Sequence, residues 1–310
     1  MSLQSNAMAE QPSATQSTAG TALSPTRPFI WSLRRELWEH RAVKFAPLGV
    51  AGIVLFGFLM GLLRSPQKIW NDTNLSAAKR MQENIVPYGI AAAALIATSI
   101  FVGVFYCLGT LHNERRDRSI LFWKSMPVSD LTALLAKATV PLAILPLVAF
   151  LVIVATQLIM LLLGTAAVAV SGHSVETYWA ALPLPQIMAE ALYGLVTLSF
   201  WYWPVYGWLL FISAWARRAP FLWAVLPPFG LGLIEALAFN TSHVFEILKS
   251  RLVGSFEAAF IYHEQAKAAF PFPQMDPLGF VMSPGLWIGM VLGAGFFVAA
   301  VWMRRHREPV

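Results

Sequence analysis

The chain has 310 residues, of which 57% are hydrophobic and 12% are charged, whereas roughly 25% of a typical soluble domain is charged. With a mean hydropathy of +0.60, it cannot cover a water-soluble globule with polar groups, so we expect an integral membrane protein. The formal net charge is +6, but the basic residues stand at the ends of apolar runs, which argues against a nucleic-acid partner. The one cysteine, Cys107, excludes a disulfide within a single chain.

The first segment, residues 1–26, is rich in Ser, Thr, Ala and Pro and has no hydrophobic period, which predicts a disordered tail. Residues 1–7, MSLQSNA, resemble a remnant of cloning and place the natural start at Met8. No cleaved signal peptide is evident, and we expect residues 27–310 to form one membrane domain.

The stretch RPFIWSLRRELWEH follows the tail. Apolar residues recur in it at helical spacing with Arg34, Arg35 and Glu36 between them, and Trp31 and Trp38 can lie at headgroup depth. This pattern predicts an interfacial helix on the membrane surface. The alternative is a simple extension of the first membrane span.

Six apolar runs are long enough to cross a bilayer, which takes about 20 residues. The predicted fold is therefore all-α and integral to the membrane, with six transmembrane helices. These are Lys44–Leu63, Val86–Leu111, Thr139–Gly164, Glu190–Ala216, Pro220–Asn240 and Gly285–Met303. The fourth and fifth are separated only by RRAP, which predicts a tight hairpin with Pro220 in the first turn of the second helix.

The distribution of Lys and Arg predicts the orientation. If both termini are cytoplasmic, 15 of the 22 basic residues lie on the cytoplasmic side, as the positive-inside rule requires. The stretch 241–284 is then external. Its first part is helix-competent, and FPFPQMDPLGFVMSP after it is too rich in Pro for a regular element. The helix could lie in the outer interface or cap a cavity between subunits, or the stretch could be a solvated loop with one helix.

The densest charge cluster of the chain, NERRDRSILFWKSMPVSD, lies between the second and third spans. Its block Ile120–Lys124 can form one helical turn with an apolar side, Pro127 ends that turn, and Ser129 is suited to cap the next helix. A positive-inside flank explains the arginines but not an apolar block in water. Such a patch favours docking of a partner protein over contact with lipid alone.

This stretch, together with the amphipathic helix before the six spans and the external helical segment before the last, resembles the permease subunits of ABC-2-type transporters of the type V exporter group. The resemblance implies a bacterial inner-membrane homodimer with two separate ABC ATPase subunits, which hold the ATP and Mg. It also implies a cytoplasmic coupling helix at Arg118–Met126 and a connecting helix at Phe29–His40. The implied ATPase-coupling residues are Glu114, Arg115, Arg116, Asp117, Arg118, Ile120, Leu121, Trp123 and Lys124, and those of the connecting helix are Trp31, Arg34, Arg35 and Glu36.

The sequence lacks the motifs typical of nucleotide binding and of zinc catalysis. No G-x-x-x-x-G-K-[ST] loop occurs, and His263-Glu264 is followed by Lys267 where a zinc helix needs a second histidine. We therefore expect no enzyme activity, no cofactor and no metal in this chain.

Two features suggest a substrate path. Glu235 lies within the fifth predicted span, where a carboxylate is costly and by default functional, although it could instead reach water or Lys249 near the external end. The aromatic block Ser199–Phe211 includes Trp201, Trp203, Pro204 and Tyr206, and it could either line a path, with a kink at Pro204, or face lipid.

Glycines at four-residue steps, Gly57 and Gly61 and then Gly285, Gly289 and Gly293, favour helix packing within the chain over a dimer seam.

The sequence therefore predicts a permease that exports a hydrophobic or amphipathic substrate with energy from a separate ATPase. A membrane scaffold or sensor that docks an ATPase without transport is the second hypothesis, and a self-contained channel is the third.

Overall fold

The computed structural model describes residues 26–64, 77–117, 128–172, 174–261 and 274–306. Within these ranges the chain is helical apart from one antiparallel pair of two-residue strands, β1 and β2. The elements are α1 Thr26–Glu39, α2 Ala42–Arg64, α3 Ala77–Arg116, α4 Asp130–Thr139, α5 Leu145–Val170, α6 Val175–Ala180, α7 Leu184–Trp201, α8 Trp203–Trp215, α9 Pro220–Phe239, α10 His243–Ala259, β1 Phe260–Ile261, β2 Gln274–Met275, α11 Pro277–Met282 and α12 Pro284–His306.

Six helical segments are long and apolar enough to cross a membrane, consistent with an all-α, multi-pass membrane protein. They are Ala42–Arg64, Glu83–Arg116, Asp130–Val170, Val175–Trp201, Pro220–Phe239 and Pro284–His306. Five of them contain nearly all of a predicted span. The helix α9 begins at Pro220 as predicted, after Ala219 in a left-handed conformation (φ 48°).

The fourth span differs from its prediction. A single helix over Glu190–Ala216 is wrong, because α7 already begins at Leu184 and the helix is interrupted at Tyr202 (φ −83°, ψ −2°) before α8. Pro204 explains the break, since it has no N–H to give to the carbonyl group four residues earlier. Pro204 therefore does distort this helix, as the sequence suggests, but it divides the aromatic block between two helices.

The third span is one long helix with an irregular turn. It begins where predicted, with the Ser129 hydroxyl accepting a hydrogen bond from the backbone N–H of Thr132 at 3.1 Å. Between α4 and α5 the residues Val140–Ile144 form a π-helical turn. Pro141 in this turn cannot donate to the carbonyl of Lys137, which favours the wider turn.

The helix α8 is central and packs closely against α12 and α3. A Cβ atom added to Gly207 would lie 2.8 Å from the carbonyl oxygen of Gly293, and one on Gly289 would lie 2.7 Å from the Arg251 guanidinium. The glycines of the last span thus serve packing within the chain, as predicted. A Cβ atom on Gly57 or Gly61, by contrast, would meet no described atom within 4 Å.

The segment before the last span contains two helices. The helix-competent first part forms α10, in which Ile247 and Leu252 are exposed and the buried positions include Ser255 and Ala259. The proline-rich stretch was expected to lack regular structure, and that is wrong for α11. The side chain of Asp276 caps this helix by accepting from the N–H of Gly279 at 2.9 Å.

Candidate functional site

A cluster of charged side chains is buried where the ends of α1, α3, α4 and α12 meet at one end of the helical bundle. Three acids and three bases form the cluster itself. They are Glu36, Glu114, Asp130, Arg35, Lys137 and Arg304. A fourth acid, the half-exposed Glu39, lies 3.6 Å from Nε of Arg35 at the edge of this cluster. Ionisable groups buried at the level of membrane spans are rare and are associated with function.

Lys137 is the centre of this charge cluster. Its Nζ atom lies 2.8 Å from Oε1 of Glu36 and 3.0 Å from Oε1 of Glu114, and it donates a hydrogen bond to the Thr110 hydroxyl at 2.8 Å. The side chain is 2% exposed. An ammonium so far from water is stable only because all three of its donors have partners.

Arg304 connects the last helix to the charge cluster. Its Nη1 atom lies 2.9 Å from Oε2 of Glu114 at the end of α3, and its Nε atom lies 3.0 Å from Oδ1 of Asp130 at the start of α4. One guanidinium therefore joins the two helices that flank residues 118–127. Its fixed geometry allows contact with two carboxylates at once.

The helix α1 contributes a base and an acid. Arg35 pairs with Glu114 and lies 3.0 Å from Oε1 of Glu36. Glu36 also accepts hydrogen bonds on Oε2 from the Tyr106 hydroxyl at 2.9 Å and the Thr110 hydroxyl at 3.2 Å. Burial alone would raise the pKa of the Glu36 carboxyl, but Lys137 and Arg35 outweigh it and hold that pKa below its usual value. Glu36 is therefore a carboxylate at neutral pH.

His40 borders the charge cluster at the turn between α1 and α2. Its ring meets that of Tyr106 edge-on at 4.7 Å, and Nε2 lies 3.8 Å from Oε2 of Glu36. Burial lowers the pKa of the His40 imidazole and outweighs the opposing effect of the Glu36 carboxylate. The neutral ring is thus favoured in the folded protein.

The first four implied ATPase-coupling residues, at the end of the second span, separate into two pairs. Glu114 and Arg115 are buried, and Arg115 donates to the carbonyl of Ala214 at the end of α8. Arg116 and Asp117 face outward and are 66% and 60% exposed. The remaining implied coupling residues, Arg118, Ile120, Leu121, Trp123 and Lys124, lie outside the described residues, as does the implied coupling helix.

The implied connecting-helix residues also divide between two faces of α1. Arg35 and Glu36 enter the charge cluster, whereas Trp31 and Trp38 are exposed on the other side. The Arg34 guanidinium lies over both indole rings, at 5.9 Å and 5.7 Å from their centres. The helix is thus amphipathic, with its charged buried face against α4.

The aromatic residues singled out by the sequence are mostly inside the protein. Trp201 and Tyr206 are buried, and the indole N–H of Trp201 donates to the carbonyl of Ser250 at 3.2 Å. Trp203 donates to the carbonyl of Met290 at 3.1 Å. The partners of these two tryptophans lie on α10 and α12, and the alternative of a lipid-facing block is wrong for the buried Trp201 and Tyr206.

Glu235 joins α9 to α10. Its Oε1 atom accepts from the Thr241 hydroxyl at 2.7 Å and the backbone N–H of His243 at 3.0 Å, and Oε2 accepts from the N–H of Val244 at 2.8 Å. The carboxylate therefore caps the start of α10, where the free N–H groups and the helix dipole favour a negative charge. The alternative contact with Lys249 is not formed.

Sequence reasoning missed the central members of the charge cluster. Lys137 and Arg304 entered only the count of basic residues that sets orientation, and no role in a cluster was predicted for Asp130. The position of Lys137 could have indicated the cluster, because it is a lone charge seven residues after the start of a helix that is otherwise uncharged from Leu131 onward. Among the described residues no group of His, Cys, Asp and Glu side chains could hold a metal ion.

Comparison with known proteins gives no family assignment. No protein-family model matches the chain, and no curated protein and no solved structure shows significant similarity to it.

Proposed function

We propose that this chain is the permease subunit of an ATP-driven ABC-2-type exporter, working as a homodimer with two separate ATPase subunits in the bacterial inner membrane. The buried charge cluster is the observation that carries the proposal. It joins α3 and α4, the helices that precede and follow residues 118–127 in the chain, the stretch that resembles a coupling helix.

The charge cluster suits the transmission of force. A push on residues 118–127 reaches α3 at Glu114 and α4 at Asp130, and both carboxylates are held by Arg304 of the last span. Lys137 and Arg35 extend the same connection to α1. Because interfaces of this kind switch between discrete packings rather than bend, the motion would pass to several spans together.

The remaining surface leaves room for a second copy and for lipid. Of the six spans, α2 and α9 are the least covered by the rest of the described chain. In the proposed dimer one of these faces meets the partner, and α1 lies on the cytoplasmic membrane surface with Trp31 and Trp38 at headgroup depth. Both termini are cytoplasmic, as the distribution of Lys and Arg favours.

The test is co-purification: the full chain should retain an ABC ATPase subunit from the cells in which it is naturally made, identified by mass spectrometry. Trp123→Glu should abolish the complex, because it places a charge in the apolar block that we expect the ATPase to bind. Trp179→Glu is the matched control, since Trp179 is an exposed tryptophan on α6, near the start of the fourth membrane-spanning segment and on the side that we expect to be external, and the complex should survive. Binding that is the same for both variants contradicts the proposal.

Flux separates transport from the alternatives. ATP-dependent movement of a hydrophobic fluorescent dye across liposomes holding both subunits supports the exporter. A complex without flux favours the scaffold or sensor, and flux without any ATPase favours the channel.

A further inference from the structure

A cavity of about 590 Å³ lies between the third span, α7 and α12, within the about 300–1,000 Å³ typical of ligand sites. The described side chains that line it are apolar except for the Ser199 hydroxyl and the indole N–H of Trp203. Both of these donors already serve backbone carbonyls, those of Leu195 at 2.8 Å and Met290 at 3.1 Å. The cavity therefore presents hydrocarbon to an occupant and no unused side-chain donor.

Two helix irregularities shape the cavity. The π-helical turn supplies Leu142 and Ala143 on one side. The break at Tyr202 places Trp203 on the other side, just past the end of α7. π-Helical turns cost hydrogen-bond geometry and occur frequently at functional sites. Here each irregularity contributes part of the wall.

The cavity opens sideways, onto the apolar surface of the bundle. Its inner wall is buried, with Leu195 1% exposed, whereas Leu147 and Phe200 at the rim are 54% and 51% exposed. Both rim residues lie within helices long and apolar enough to span a membrane. In a bilayer such a rim contacts lipid tails rather than water.

We propose that this cavity, here called the lateral cavity, binds one acyl chain of a membrane phospholipid, with the headgroup outside it. The apolar lining recognises hydrocarbon, the lateral mouth admits it from the bilayer, and the lack of unused side-chain donors disfavours a polar headgroup inside. This site goes beyond the proposed function, because it requires only that the chain lies in a membrane and not that it transports anything.

The test uses the full chain in vesicles of phosphatidylglycerol and phosphatidylethanolamine that contain a phospholipid with a photoactivatable diazirine on its acyl chain. After irradiation, mass spectrometry should find more label on 142–150 and 192–203 than on whichever of α2 and α9 carries more label, because these two least covered spans report ordinary lipid contact. Mild-detergent native mass spectrometry should retain one phospholipid per chain.

Ala143→Trp fills the lateral cavity from an exposed position and should remove both the excess label and the retained lipid. Leu147→Trp is a second filling variant, at the rim. Ala155→Trp is the matched control, because Ala155 is exposed on the same span but does not line the cavity, and it should change neither readout.

Label on the lateral cavity no higher than on the more heavily labelled of α2 and α9, or equal in Ala143→Trp, Leu147→Trp and the control, would overturn the proposal. Excess label that a non-lipid hydrophobic dye displaces, but that unlabelled phospholipid does not, would assign the site to another class of ligand and would equally overturn it. None of these outcomes depends on an ATPase, so a failure here is distinct from a failure of the proposed function.

Discussion

Replacing Lys137 by Met tests the charge cluster most directly, because it removes the central cation and keeps an unbranched side chain. Glu36 and Glu114 would then have only Arg35 and Arg304 as cationic partners. Water could not replace the lost ammonium, because the site is buried: the Lys137 side chain is 2% exposed. Each lost charge-assisted hydrogen bond is worth about 1.5–3 kcal/mol. Two of them give about 3–6 kcal/mol, which includes the about 3–5 kcal/mol usually lost on breaking a buried ion pair.

The assay is thermal unfolding of the detergent-purified chain, followed by tryptophan fluorescence. A loss of this size should lower Tm by on the order of 10 °C. Arg116→Gln is the control, because Arg116 is an exposed basic residue at the end of the same helix as Glu114, and it should change the free energy of unfolding by less than about 0.5 kcal/mol.

Adding Glu36→Gln to Lys137→Met should recover about 1–3 kcal/mol, since the double variant again balances acids and bases and leaves Glu114 with its two arginines. The cluster is not held together by charge if Lys137→Met unfolds at the same temperature as Arg116→Gln. The same conclusion follows if the double variant is no more stable than Lys137→Met alone.

Three further predictions concern other sites. Gly164→Ala should lower the free energy of unfolding by about 1–3 kcal/mol, because the added Cβ atom would lie 2.0 Å from the buried hydroxyl of Tyr178. Gly57→Ala should leave Tm unchanged or raise it, because its Cβ atom would meet no described atom within 4 Å. The free energy of unfolding should fall as the pH drops below 6.5, because the lowered pKa of His40 disfavours protonation of the folded state, and His40→Gln should flatten that part of the profile. Glu235→Ala should lose about 1 kcal/mol of helix capping and accelerate amide hydrogen exchange at Val244, with no comparable change in the charge cluster.

The parts of the fold that follow from local chemistry could be predicted from the sequence. Span positions depend on runs of apolar residues, and the starts of α4 and α9 depend on Ser129 and Pro220 acting on their immediate neighbours. The break at Tyr202 was anticipated only as a kink at Pro204. Hydropathy could not reveal it, because the residues on both sides are equally apolar.

The charge cluster could not be predicted in the same way, because its partners are far apart in the chain. Lys137 and Glu36 are separated by 101 positions, and Arg304 and Glu114 by 190. A basic residue near the end of a span has an ordinary explanation in membrane orientation, so only tertiary structure distinguishes Arg304 from the exposed Arg116. The lateral cavity is likewise a product of how three spans meet and has no sequence signature.

The position of Arg304 has a consequence for biosynthesis. Domains emerge from the ribosome starting at the N-terminus, so Glu36, Glu114, Asp130 and Lys137 all enter the membrane before Arg304 is made. Until the last helix inserts, Asp130 lacks the guanidinium that the finished protein gives it, and Glu114 lacks one of its cations. A chain that ends before the last helix therefore has one cation fewer than the finished cluster, and its Asp130 carboxylate lacks the partner that the finished protein supplies.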